Sequence, residues 1–91
     1  MSPFAWDSLK NEALKVERKV SFEEVIEHIA AGDLLDVVEH PNQEKYRGQR
    51  ILIVKMHTYA RLVPFVEAEG EVFLKTTIPS RKATRKYLGG G

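Results

Sequence analysis

Apolar residues at 6, 9, 13, 16 and 20 recur at helical spacing through the start of the chain, with Asp7 standing where a capping carboxylate belongs. The pattern predicts a helix that begins at Trp6-Asp7 and carries Leu9, Ala13 and Val16 on its buried face. A second helix has a clearer start. Ser21 and Glu24 have the spacing of a capping box, and Val20 and Val25 occupy the two positions of a hydrophobic staple. Its core face is Phe22, Val25, Ile26 and Ile29, and Gly32 supplies the stop.

Past Gly32 the period becomes strand-like. Leu34 to Glu39 forms a short run closed by His40-Pro41-Asn42, and the polar stretch Pro41 to Gly48 reads as a loop. Arg50 to Met56 is apolar through its centre, as expected of a strand buried on both faces. Two further runs, Tyr59 to Val66 and Val72 to Ile78, are joined through Glu67 to Gly70 and read as a hairpin. Pro64 lacks the donor a ladder needs, so its strand is expected to be interrupted or one-sided. Pro79 and Ser80 then introduce a short basic helix. The expected fold is α+β: two N-terminal helices packed on a mainly antiparallel four-stranded sheet, followed by a short basic C-terminal helix. Residues 1–88 are expected to form one domain and Gly89-Gly90-Gly91 a tail without fixed structure.

Composition narrows the setting. A chain of 91 residues supports one core, burying roughly 60–70% of its unfolded surface. The absence of cysteine removes disulfides and thiolate zinc sites. No basic-then-apolar leader follows Met1 and no apolar run approaches a membrane span, so a soluble, cytoplasmic protein is expected.

Charge changes the picture more than its sum of +1 suggests. Residues 1–44 hold ten acids and four Lys/Arg, whereas residues 45–91 hold three acids and ten Lys/Arg. If the halves segregate in space, one face would attract a polyanion. The densest basic stretch follows the last strand: Arg81, Lys82, Arg85 and Lys86 are cationic, Ser80 and Thr84 add hydroxyls, and Tyr87 adds a phenol. Such a set suits phosphate, with Tyr87 favoured as an anchor closing the helix onto the core.

Cleaving an RNA phosphodiester without a metal requires a base, fixed positive charge on the phosphorane and an acid for the leaving oxygen. Arginine supplies only the second, because it stays charged. Arg50 and Arg61 lie in strands and are expected to project from the open sheet face toward the Ser80–Tyr87 segment. For proton transfer the candidates are His57, Tyr59, Lys75 and, behind its role as an anchor, Tyr87. Histidine titrates nearest neutrality, although His57 stands beside Thr58 in an apparent turn. Lys75 lies within an apolar run, where a cation needs a reason. The three histidines, 28, 40 and 57, lack zinc spacing, and Asp33, Asp36 and Glu39 form only a loose carboxylate set. Neither a metal nor an organic cofactor is expected, and there is no phosphate loop or dinucleotide fingerprint.

The order Phe4-Ala5-Trp6-Asp7, Lys10-Asn11, Val20-Ser21-Phe22-Glu23-Glu24 and Ser80-Arg81-Lys82-Ala83-Thr84-Arg85 resembles the BrnT toxins of bacterial type II toxin–antitoxin systems. The resemblance covers nearly the whole chain and is most specific at its two ends. It implies a RelE-like fold, metal-independent ribonuclease activity that arrests translation, and a DNA-binding antitoxin, of ribbon-helix-helix type, through which alone DNA would be contacted. By position it favours Arg81 and then Arg50 as functional arginines. Many members carry Lys-His-Gly ahead of Val-Ser-Phe-Glu-Glu, where this chain has Glu17-Arg18-Lys19; if that histidine or lysine contributes to cleavage, Arg18 or Lys19 must substitute or activity is reduced. Pro79 also departs from the usual small residue. The competing expectation is a binding module of the same fold, without catalysis, that engages an antitoxin or nucleic acid.

Overall fold

The structure, a computed structural model, describes residues 3–89. Along it run β1 (Phe4–Trp6), α1 (Ser8–Arg18), α2 (Phe22–Ala30), β2 (Leu34–Glu39), β3 (Arg50–Met56), β4 (Tyr59–Ala68), β5 (Glu71–Leu74), β6 (Ile78–Pro79) and α3 (Arg81–Leu88). Capping side chains set where the helices begin. Asp7 Oδ1 accepts from the Leu9 and Lys10 amides at 2.8 and 3.2 Å, and Ser21 and Glu24 form the expected capping box. At α3, Ser80 Oγ accepts from the Ala83 amide at 3.0 Å. Each cap satisfies donors that the first helical turn leaves without a partner.

The strands form one mixed sheet in the order β1-β5-β4-β3-β2, with β6 continuing beyond β5 along the side of β4. All pairings are antiparallel except β1 with β5, where Phe4, Ala5 and Trp6 lie opposite Val72, Phe73 and Leu74. The layout therefore differs from the expected four strands after two helices. Trp6 belongs to β1 and not to a helix: Asp7, as cap, excludes it from the first turn, and its ring packs on Phe22 with centroids 5.7 Å apart. The expected strand Val72 to Ile78 is divided into β5 and β6.

That division accounts for Pro64. β4 runs unbroken through it, and its carbonyl faces the β5 side, where it accepts from the Lys75 amide at 2.8 Å. In an antiparallel strand a residue's donor and acceptor point to the same neighbour. The donor that proline lacks thus falls where the neighbouring strand breaks between Leu74 and Ile78, and no ladder bond is lost. The strand is one-sided there, as its proline implied. The β4–β5 turn is tight: Glu69 and Gly70 both have positive φ, the geometry of a two-residue hairpin that follows sheet twist.

Alternate residues of β3 feed two cores. Leu52, Val54 and Met56 join Leu14, Val20, Phe22, Val25, Val63, Phe65 and Leu74 beneath α1 and α2. Ile51 and Ile53 join Ala60 and Ala83 on the opposite face, beneath α3. The expectation that β3 is buried on both faces holds, because helices lie on both sides of the sheet.

Helix α1 presents a different face from the expected one. Leu9 and Val16 are 81% and 74% exposed, while Asn11 and Leu14 are buried. At about 100° per residue, Leu9 and Val16 lie together nearly across the helix from Leu14. Asn11 decides the rotation: its Oδ1 accepts from the Phe22 amide and its Nδ2 donates to Glu23 Oε1, both at 2.8 Å. Gly89 ends α3 as a left-handed cap with φ 63°, so it is a structured residue; Gly90 and Gly91 lie outside the described residues. No helix among the described residues is long and apolar enough to cross a membrane.

Candidate anion-binding site

Two turns and one strand build a cavity of about 180 Å³ at the edge of the α1–α2 side of the sheet. The end of α1 brings Arg18 and Lys19, the start of α2 brings Val20 and Glu24, and the β3–β4 hairpin brings Met56, His57, Tyr59 and Arg61. Three permanent cations and an imidazole thus surround one carboxylate.

Arg61 is the fixed member. On β4 it alternates with Ala60 and Leu62, which pack toward α3, and so points to the other face. Its Nε donates to Thr77 Oγ1 at 2.9 Å and its Nη2 to the Thr77 carbonyl at 3.4 Å. Thr77 is itself buried, in the break between β5 and β6. Burial, and then repulsion from Arg18, hold the Arg61 guanidinium below its ordinary value, with Glu24 acting in the opposite sense. The rest of its donor fork is engaged by no described residue, which leaves it for a ligand.

Lys19 ends α1 with φ 58°, its amide donating to the Leu14 carbonyl. His57 is the first residue of the two-residue turn between Met56 and Tyr59 and has φ 63°. Its ring meets that of His28 edge-on, centroids 5.5 Å apart, and His28 Nδ1 lies 2.9 Å from Asp33 Oδ2. Tyr59 is partly exposed. Glu24 Oε1 accepts from the Ser21 amide at 3.1 Å, so this carboxylate is committed to its capping box.

The other expected site residues lie elsewhere. Arg50 does not project toward α3: it pairs with Glu67 on the α1–α2 side, its guanidinium 5.2 Å from the Phe65 ring centroid. Arg61 also faces away from α3. Lys75 is exposed just past β5, its Nζ 5.5 Å from the Phe73 ring centroid, because the chain leaves the ladder at that point; it is not a cation held inside an apolar strand. Arg81, Lys82, Arg85 and Lys86 are exposed on α3, across the sheet from the cavity.

Their hydroxyl companions have structural partners. Ser80 Oγ caps α3, and Thr84 Oγ1 both donates to the Ser80 carbonyl at 2.7 Å and accepts from the Ala60 amide at 2.9 Å. Tyr87 is the anchor its sequence position favoured, its hydroxyl donating to Asp36 Oδ2 at 2.6 Å. Beside α3 lies a larger groove of about 400 Å³, floored by Val38, Ile51, Ile53 and Leu62 and rimmed by Lys82 and Lys86. Among the described residues no three His, Asp or Glu side chains come together as a metal site would require.

Comparison with protein-family models, with curated proteins and with solved structures finds no match. The site therefore has to be read from its own chemistry. Of the sequence candidates, His57, Tyr59 and Arg61 come together; Arg50, Lys75 and Arg81 do not join them. The acidic and basic halves do not segregate at the cavity, since Arg18 and Lys19 come from the acidic one. Sequence order ranked these two only as stand-ins for family residues. Their signal was a helix ending without glycine just before the Ser21 cap.

Proposed function

We propose that the protein is a ribonuclease toxin of a type II toxin–antitoxin system, cleaving RNA without a metal at the cavity of Arg18, Lys19, His57, Tyr59 and Arg61, and neutralised by a cognate antitoxin. The observation that carries this reading is the convergence of three cations with an imidazole and a phenol in one recess. The substrate's 2′-hydroxyl attacks the adjacent phosphorus and the bond to the 5′-oxygen breaks, leaving a cyclic phosphate and a 5′-hydroxyl. His57 or Tyr59 moves the protons. Arg61, pre-positioned by Thr77, meets the charge that grows on the phosphorane, where a fixed donor is worth most.

The test is incubation of purified protein with RNA in EDTA, read on a gel beside growth after induction. Wild type is expected to cleave RNA and arrest growth, and Arg61→Ala to lose about 10²–10³-fold in rate. Intact RNA at high protein concentration, with unimpaired growth, would overturn the assignment.

A second reading, a binding module that engages an antitoxin or nucleic acid without cleavage, draws support from the α3 side. There the cations rim an apolar groove and the neighbouring hydroxyls are already bonded. It predicts that Arg81→Ala weakens partner association while no variant alters RNA.

A further inference from the structure

Three non-glycine residues among those described have positive φ: Lys19, His57 and Glu69. Glu69 occupies a tight hairpin turn and lines neither the Arg61 cavity nor the groove beside α3, but Lys19 and His57 both line the Arg61 cavity. Neither residue suits its backbone. A left-handed residue ending a helix is usually glycine, because a Cβ there crowds the neighbouring carbonyl. The first position of a two-residue hairpin with positive φ favours glycine or asparagine for the same reason. Two independent turns, one between helices and one between strands, thus each adopt the disfavoured conformation where their side chains border the same recess. Strained backbone persists where surrounding structure over-determines it, and it concentrates at ligand sites.

The surroundings are over-determined here. The Lys19 turn is held by the Val20 amide on the Leu14 carbonyl at 3.5 Å and by the Ser21 cap immediately after it. The His57 turn is held by the Met56–Tyr59 pair and by the edge-on His28 ring. In both places glycine would relieve the backbone, and it would remove a cation from one wall and an imidazole from the other.

We propose that Lys19 and His57 are ligand-contacting residues of the cavity, Lys19 binding an RNA phosphate and His57 the adjoining nucleotide, and that each occupies its left-handed position at a cost in fold stability. This rests on the reading of the cavity as an RNA site. Lys19 adds a second cation to the one that Arg61 supplies, on the opposite side of the recess from the hairpin that carries His57. The substrate class is single-stranded RNA spanning the α1–α2 turn and the β3–β4 hairpin.

The experiment measures thermal melting and the affinity of a non-cleavable 2′-O-methyl RNA oligonucleotide, by fluorescence anisotropy across a salt series, for wild type, Lys19→Gly, Lys19→Arg, His57→Gly and Arg61→Ala. Both glycine variants are expected to melt no lower than wild type and up to about 4–8 °C higher. Lys19→Gly is expected to bind about tenfold more weakly, with its log-affinity against log-salt slope reduced by about 0.7, as for one lost phosphate contact on a single strand. His57→Gly is expected to bind more weakly with an unchanged salt slope, and Lys19→Arg to keep the wild-type slope. Wild type that binds while the glycine variants match it in affinity and slope would overturn this inference and leave the RNA site standing. Glycine variants that melt lower than wild type would also overturn it, by making both residues structural. Wild-type protein that fails to bind the oligonucleotide would overturn the RNA reading and this inference together.

Discussion

Tyr87 and Asp36 add to the buried Ala83 and to the Ala60 amide donating to Thr84 Oγ1 a further contact that holds a helix whose exposed surface is almost entirely cationic. Four charges on eight residues give α3 little reason to lie against a sheet; the ring of Tyr87 beside Ile51 and Ile53, and its hydroxyl on Asp36, supply one. The hydrogen bond from Tyr87, and next the Val37 amide, hold Asp36 below its ordinary carboxylate value, while Asp36 raises the Tyr87 phenol above its own. A lowered carboxylate contributes stability that is complete above its ordinary value of 3.8 and is lost as pH falls through the folded-state value. A raised phenol contributes stability that is present below 10.0 and is lost as pH rises through its folded-state value. Melting curves across pH should therefore show wild type losing stability at both extremes relative to Tyr87→Phe, and the two proteins converging in strong acid. The sequence places an aromatic anchor at 87 by position alone. Its acceptor lies 51 residues away, and no local pattern identifies it.

At the scale of elements, every helix was legible at its cap, whereas the apolar stripe held for α2, whose Phe22, Val25, Ile26 and Ile29 face the core, and misled for α1. Asp7, Ser21 and Ser80 each mark a true start, because a capping side chain acts on amides two or three residues ahead and needs nothing distant. The apolar stripe of α1 fails because a single buried amide, Asn11, bonds the start of α2 and turns the helix on its axis. Leu9→Gln and Val16→Gln should accordingly change unfolding free energy by no more than about 0.5 kcal/mol. Leu14→Ala should cost about 2–5 kcal/mol, as for a core leucine; urea denaturation of the three variants checks both values. The break between β5 and β6 was half-legible. Pro64 announced that one neighbour would be missing, yet the run Val72 to Ile78 looked continuous, since a strand's alternation carries no mark of where its partner ends. The candidate site suffered likewise. His57, Tyr59 and Arg61 lie within five residues of one hairpin and were found; Arg18 and Lys19 reach them only through the packing of α1 and α2 on the sheet.

For the whole molecule, a sheet covered on both faces separates two cationic surfaces that sequence order had merged. The cavity at Arg61 opens on one side, and the cations of α3 lie on the other. The fourfold variant Arg81→Ala, Lys82→Ala, Arg85→Ala, Lys86→Ala should retain kcat on RNA within about threefold while KM rises through weaker long-range attraction. The same variant should lose association with an acidic partner. Arg61→Ala should show the opposite pattern, with kcat reduced and partner association retained, so steady-state kinetics beside a partner titration separates the surfaces.

The pairing of β1 with β5 sets the order in which the chain can become a protein. Phe4 must wait for Val72, far later in the chain, so β1 can complete its edge of the sheet only once β5 has been made. Until then β5 presents an open edge, the kind of surface on which chains pair with one another and aggregate. Occupying that edge early, with a peptide copying Phe4 to Trp6, or shortening the wait by circular permutation, would act on folding yield while leaving the finished molecule unaltered.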